Sequence, residues 1–312
     1  MIKVGILGTG FGETHAEMYR KIEGFEVVSI FGRNGEKLSK IGEKFHIPVT
    51  TQISEVITNP EIDLIDLCLP TELHAKWAIE GLKNGKHIYC ETPVAYSAED
   101  ALAIQRAAEQ YGKNVFVDMF LKFAQPHKHA AQLAKRTDLG PLLSVRAYNR
   151  TSPRWGDLGI QKNVETFQIH LMDFIIGLLG MPHCATASAM DYQGQSVVIS
   201  SLGYGDQFAV LESNSSLPSC CPFEIGFELF FAEGVVRYDA VYGSFTKEEF
   251  SITGNDKARE VVQLEAKDEY EEVIRHIRDC LLNGVKSDLI DIEAAVNTVK
   301  LKEMILQSLR SK

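Results

Sequence analysis

Apolar and polar positions follow two rhythms along this chain, and the change between them falls near residue 119. In the first part, short continuous apolar runs alternate with stretches of helical spacing. The runs cover 2–7, 25–31, 62–69, 87–90 and 114–118, and each is short enough for a buried strand. Between them, Ala16, Met18, Tyr19 and Ile22 recur at helical intervals, as do apolar positions in 34–45, 72–84 and 97–111. Ser97 reads as an N-cap with Asp100 three residues on, and Gly85 closes the preceding helix. Strands apolar throughout and joined by helices predict a parallel sheet covered on both faces. Beyond residue 119 a helix is expected over 127–137 and a turn at Leu139-Gly140-Pro141. Strand-like runs then dominate, at 142–149, 185–190, 196–204, 207–215, 224–233, 235–241, 249–253 and 261–266. A helix over 164–179 interrupts them, and amphipathic helices over 270–282 and 290–309 end the series. Strands joined by Gly and Asp turns predict an antiparallel sheet.

The first fifteen residues add chemistry to this pattern. The run 2–7 breaks into Gly8, Gly10 and Gly12 and then into a helix. Strand, glycine turn and helix in that order form the dinucleotide-binding fingerprint, in which free N–H groups at the helix start hold a pyrophosphate. Gly8, Thr9, Gly10, Phe11 and Gly12 are therefore cofactor candidates. The third glycine comes one residue early, and Glu13 stands where Gly or Ala is usual; an acid there suits the helix dipole but would repel a phosphate if it pointed inward. The expected fold is α/β: a Rossmann-like doubly wound parallel sheet over 1–119, then an α+β domain with a large open antiparallel sheet over 120–312. The last helix is expected to pack back on the first domain. The open sheet is expected to pair with another copy, giving a homo-oligomer, dimer or tetramer.

Composition removes several function classes. The 312 residues carry a net charge of −10, against the basic face that a nucleic acid or anionic membrane requires. No apolar run reaches membrane-spanning length, and the first strand begins without a signal peptide, so a cytoplasmic location is expected. The six cysteines lack metal-type spacing; Cys68 and Cys90 lie in apolar runs and read as small hydrophobes. His127 and His129 have no Cys or acid to complete a ligand set, so no metal site is expected.

In open parallel sheets ligands sit beyond the carboxyl ends of the strands, which brings in Pro70, Thr71 and residues 91–93. After the second strand, Gly32 occupies the place of the acid that holds an NAD ribose, and Arg33 and Asn34 follow it. A guanidinium suits a 2′-phosphate, which favours NADP over NAD; a solvated loop arginine is the other reading.

The Gly8-Thr9-Gly10 turn with His15, Leu69-Pro70-Thr71 followed by His74, and Glu91-Thr92-Pro93 together resemble one family. Leu139-Gly140-Pro141-Leu142, His170-Leu-Met-Asp173 and Leu179-Gly180 extend the likeness nearly end to end. The family is that of glucose–fructose oxidoreductase, inositol dehydrogenase and biliverdin reductase. The resemblance implies an NAD(P)-dependent oxidoreductase that passes a hydride between nicotinamide and a sugar, polyol or related carbon. It also implies that His74, Glu91, Thr92 and Pro93 lie near the cofactor. Two departures stand out. The family's Glu-Lys-Pro lysine, which assists proton transfer, is Thr92 here, and threonine cannot carry the charge. The acid four residues before the motif histidine is replaced by Thr166, with Glu165 adjacent but turned by about 100° on a helix.

His170 is then the plainest proton-transfer candidate, with Asp173 on the same helical face to orient or charge it. Lys122, at the domain crossover among Phe120 and Phe123, is a candidate to supply the missing cation; a surface lysine is the alternative. Tyr148, Arg150, Arg154 and Trp155 could line a substrate pocket or pack a loop at an oligomer surface. The expected activity is NADP(H)-preferring oxidoreduction of a small carbonyl or polyol. The rival is a cofactor-binding sensor or regulatory protein without turnover, and a third reading is a hydrolase or lyase that uses bound NAD transiently.

Overall fold

The computed structural model describes residues 1–243, 246–255 and 257–311. They divide into two compact units, the first made of 1–120 with 268–299 and the second of 121–267 with 300–311. In chain order the first unit begins β1 (Ile2–Leu7), α1 (Phe11–Lys21), β2 (Phe25–Phe31), α2 (Gly35–Phe45), β3 (Val49–Thr50) and α3 (Ile53–Ile57). It continues β4 (Leu64–Leu67), α4 (His74–Lys83), β5 (His87–Cys90), α5 (Ala98–Tyr111) and β6 (Val115–Val117). The strands form one parallel sheet in the order β3-β2-β1-β4-β5-β6. β1, at the point where the order reverses, is flanked by β2 and β4, and its exit is the natural ligand crevice of such a sheet. Val4, Ile6, Leu64, Ile65, Leu67 and Ile88 are fully buried, as continuous apolar strands require. Ser97 caps α5 by accepting from the Asp100 N–H, as its sequence predicts. The short β3 and α3 carry too few apolar repeats to be read from sequence.

The second unit contains α6 (Gln125–Leu133), β7 (Leu142–Arg150), a helical turn α7 (Ile160–Lys162) and α8 (Ile169–Leu179). Then come β8 (Cys184–Tyr192), β9 (Gln195–Gly203), β10 (Phe208–Asn214), β11 (Phe223–Phe231), β12 (Gly234–Tyr242), β13 (Thr246–Gly254) and β14 (Lys257–Val262). The helix α9 (Glu269–Asn283) belongs to the first unit, and the boundary between the units falls inside α10 (Ile292–Arg310), after Val299. The eight-stranded sheet runs β14-β13-β12-β11-β7-β10-β9-β8. It departs from the wholly antiparallel expectation at one pair, since β7 and β10 are parallel. A parallel pair needs a long crossover, and the segment from Thr151 to Gln207, with α7, α8, β8 and β9, provides it.

Alternation along β7 sorts the sheet's two faces. Leu142, Val145, Ala147 and Asn149 are buried; Val145 and Ala147 pack with Leu211, Phe227 and Leu229 in the core shared with Leu171, Met172 and Ile175 of α8. The opposite face carries charge. Arg150 binds Glu212 through Nε at 2.7 Å and reaches Glu224 at 3.5 Å, while Arg237 pairs with Glu228 at 2.8 Å. Each pair crosses neighbouring strands and is partly exposed, so its contribution is modest.

His127 of α6 is buried in this unit with its ring edge-on to Phe174 and Phe227, at 4.7 and 5.1 Å. Burial drives its pKa down to about 3, so the folded protein keeps the ring neutral while the unfolded chain protonates near 6.5. Its contribution to stability is therefore complete above about pH 6.5 and is lost as the pH falls toward 3. His127→Phe is expected to flatten stability against pH in this window by one proton, about 1.4 kcal/mol per pH unit. Urea melts at pH 4.5, 5.5 and 6.5 would measure the change; parallel curves for the two proteins would refute it.

Candidate cofactor and catalytic sites

The glycine turn between β1 and α1 shows what each glycine does. Gly8 has φ +119°, and a Cβ there would lie 2.3 Å from the Cys68 carbonyl oxygen. Gly12 packs α1 on β1, since a Cβ would stand 2.7 Å from Ile6 Cγ2. Around Gly10 a Cβ would meet nothing within 4 Å. These are the tight-turn, helix–strand packing and ligand-approach roles of the dinucleotide fingerprint, so the early third glycine still performs its packing task. No side chain caps α1, which leaves its first N–H groups directed at the turn. Glu13 faces away from that anion position, because its carboxylate pairs with Lys44 of α2 at 3.0 Å. Phe11, at the helix start, is exposed.

At the exit of β2, a Cβ on Gly32 would meet Thr9 Cγ2 at 2.6 Å and Leu38 Cδ1 at 3.1 Å, so there is no room for an acid. Arg33 is exposed beside it. Asn34, expected near the cofactor, has its side-chain oxygen engaged as the N-cap of α2, accepting from the Lys37 N–H at 3.0 Å. Lys37, which sequence reasoning missed, donates its ammonium to the Thr9 carbonyl. Its signal was its place one helical turn after Arg33.

At the same carboxyl edge of the sheet, Pro70 and Thr71 open a 3₁₀ turn that leads into α4. His74 is buried, with Nε2 2.6 Å from the Leu69 carbonyl and Nδ1 3.0 Å from that of Pro93. The ring thus bridges the β4 exit and the Glu91-Thr92-Pro93 loop, whose Thr92–Pro93 bond is cis. Burial pulls the His74 pKa down against those two carbonyls.

Beneath the turn lies a polar cluster that sequence spacing could not reveal, since its members end different elements. His15 Nδ1 is 2.9 Å from Asp66 Oδ2, and Nε2 is 3.2 Å from Glu91 Oε1. The Cys68 thiol donates to Asp66 Oδ1 at 3.2 Å, so this cysteine is not merely a small hydrophobe. Donor atoms of His15, Cys68 and Glu91 lie within 4.8 Å of one another, and the recorded ion pairs and hydrogen bonds engage all three.

In the second unit, Lys122 and Asp173 meet in a largely buried ion pair of 3.0 Å. His170 is half-buried on the same helix as Asp173, and burial alone moves its pKa down to about 4. Asp173 directs one carboxylate oxygen at Lys122. The helix is entered through a π turn, closed by the Gln168 N–H on the Asn163 carbonyl at 2.8 Å, a feature enriched at functional sites. Glu165 lies in that turn and accepts from Gln161 at 3.0 Å, while Thr166 bonds the Lys162 carbonyl at 2.7 Å.

The three substrate candidates separate. Tyr148 lies on the charged face of the sheet, donating to Asp239 under the Arg150 guanidinium. Its neighbour Asn149 faces the other way and donates to the Phe167 carbonyl at 2.7 Å, so Tyr148 points away from the helical layer that carries His170. Arg154 is engaged within its loop, bonding Ser152 Oγ at 2.8 Å and the Cys221 carbonyl at 3.0 Å. Trp155 is half-exposed and packs edge-on against Phe167 and Phe223.

With this geometry in view, comparison with known proteins is decisive for the first unit. Residues 2–119 match the family described as "Oxidoreductase family, NAD-binding Rossmann fold". Over these residues, somewhat more than a third of its length, the chain resembles this oxidoreductase family. It is similar to the 4-carboxy-2-hydroxymuconate-6-semialdehyde dehydrogenase of Sphingobium sp., with 32% identity over 130 residues, 41% of either chain. It is also similar to the scyllo-inositol 2-dehydrogenase (NADP(+)) of Bacillus subtilis, at 22% identity over all of this chain and 94% of the relative. Biliverdin reductase from Synechocystis sp., solved with biliverdin and NADP+, shares the fold at a TM-score of 0.82 and 18% identity, over 99% of each chain. No helix among the described residues is long and apolar enough to cross a membrane.

Proposed function

We propose that this chain is an oxidoreductase of that family and transfers a hydride between NADP(H) and a small carbonyl or polyol substrate. The observation that carries the cofactor half is the β2 exit, where Gly32 is packed beneath Thr9 and Arg33 and Lys37 lie close by. An acid that would hold a ribose 2′-hydroxyl has no space there, and two cations suit a 2′-phosphate. The α1 N-terminus would hold the pyrophosphate, with Gly10 giving the backbone its close approach. Pro70, Thr71 and the Glu91-Thr92-Pro93 loop would line the nicotinamide end.

For the chemical half, Lys122 is the candidate cation of the second unit. Asp173 orients it, and His170, neutral at pH 7, completes the polar set as a hydrogen-bonding partner for the substrate oxygen. Arg154 and Trp155 remain the substrate-side candidates, whereas Tyr148 belongs to the charged sheet face. That face is proposed to meet a second copy of the chain. The NADP(+) dependence and polyol substrate in the name of the Bacillus subtilis relative support this reading.

Titration with NADPH and NADH, followed by nicotinamide fluorescence, tests it. NADPH is expected to bind at least tenfold tighter, about 1.4 kcal/mol, and Arg33→Ala is expected to erase the difference. Equal binding of the two would remove the NADP preference. Binding without turnover across a carbonyl and polyol screen would favour the sensor reading, which the absence of the lysine at Thr92 motivates.

A further inference from the structure

The buried cluster around His15 has no part in the chemistry above, yet it touches the cofactor crevice at one place. His15 lies on α1, with its ring stacked on Tyr89 at 5.3 Å and almost entirely buried. Both ring nitrogens face carboxylates, Asp66 on one side and Glu91 on the other. Of the two, only the Asp66 contact is a hydrogen bond; Nε2 and Glu91 Oε1 face each other at 3.2 Å as an ion pair, and a carboxylate on each side of the ring favours the imidazolium. Asp66 is fully buried and held in turn by the Cys68 thiol. Glu91 is the member that opens to solvent, with 16% of its side chain exposed at the carboxyl edge of β5.

We propose that His15 is a positioning residue: anchored by Asp66, its imidazolium fixes the Glu91 carboxylate, and with it the 91–93 loop, for dinucleotide binding. The proposal rests on the cofactor reading above. The surrounding charges agree with it. Burial lowers the His15 pKa, but the charge of Asp66 beside it, with Cys68, holds it well above the ordinary value. The other titratable groups facing the cluster are Tyr19 from α1, Cys68 after β4, His74 from α4, Tyr89 and Cys90 from β5, Asp118 after β6 and Tyr270 from α9. Burial and neighbouring carboxylates raise all of them except His74, whose pKa burial lowers. Loss of the His15 ring would leave the Asp66 and Glu91 carboxyl groups facing each other across its place.

A double-mutant cycle on NADPH affinity tests the idea, using His15→Gln, Glu91→Gln and the pair. His15→Gln alone is expected to weaken NADPH about tenfold. In the Glu91→Gln background the same change should add nothing, because His15 acts through Glu91. Independent, additive losses would overturn the proposal. Nitrogen-15 shifts of the ligand-free wild type give a second readout, expected to show His15 protonated on both nitrogens at pH 7. Neutral-ring shifts would overturn the proposal whether or not a dinucleotide binds. Wild-type protein that binds neither NADPH nor NADH would instead overturn the cofactor reading, and the positioning role with it.

Discussion

Lys122→Met is expected to lower turnover at least a hundredfold while NADPH affinity stays within about twofold of wild type. Lys122 is the cation that Asp173 holds at 3.0 Å in the second unit, and threonine at position 92 offers no proton of comparable acidity. Removing one member of a largely buried pair also strands the other. Lys122→Met should therefore cost about 3–5 kcal/mol of stability, because Asp173 keeps its desolvation without its partner. Lost stability and lost activity must be separated, and a companion variant does so. Lys122→Met with Asp173→Leu removes both charges and should recover most of the stability without recovering turnover. Lys122→Arg should keep the ion pair and the melting temperature but transfer a proton poorly, since a guanidinium does not deprotonate. The measurements are urea melts and the rate of NADPH oxidation or NADP+ reduction with a substrate found by the screen. Turnover that returns in the double variant would remove Lys122 from the chemistry and leave the pair a structural one.

The sequence made the parallel sheet and its glycine turn legible because both depend on local pattern. A strand apolar on both faces must be buried, and a glycine run between strand and helix has few other uses. The mixed sheet was less legible at β7 and β10, because pairing across a crossover depends on strand order, which periodicity does not encode. At the sites the limits were of the same kind. Sequence placed His170 and Asp173 on one helical face, but the i,i+3 spacing says nothing about a third group. Lys122 arrives from 51 residues upstream and takes the carboxylate. The His15 cluster was hidden for the same reason, its members being brought together by the β1–β4–β5 order. The face that Tyr148 takes was not legible, because in a strand one position exchanges the two faces and neighbouring Asn149 points the other way. Glu13 was an ambiguity that only the approach of Lys44 could settle.

Two alanine substitutions in one turn are expected to fail in opposite ways. Gly10→Ala adds a Cβ into space with no protein atom within 4 Å, at a residue with φ −77°, so the free protein should lose no more than about 1 kcal/mol. The same methyl would stand where the pyrophosphate must approach the backbone, and NADPH affinity should fall about a hundredfold, or 2.7 kcal/mol. Gly8→Ala meets the opposite constraint. Its Cβ would lie 2.3 Å from the Cys68 carbonyl oxygen, at a φ of +119° that L-residues rarely adopt. The β1 exit or the β4 exit must then move, and the free protein should lose more than about 3 kcal/mol. Affinity lost with stability intact at Gly10, beside stability lost at Gly8, would separate a ligand-binding glycine from a turn-forming one. If Gly10→Ala bound NADPH like wild type, the pyrophosphate would have to lie elsewhere, and the shortened glycine turn would be packing alone.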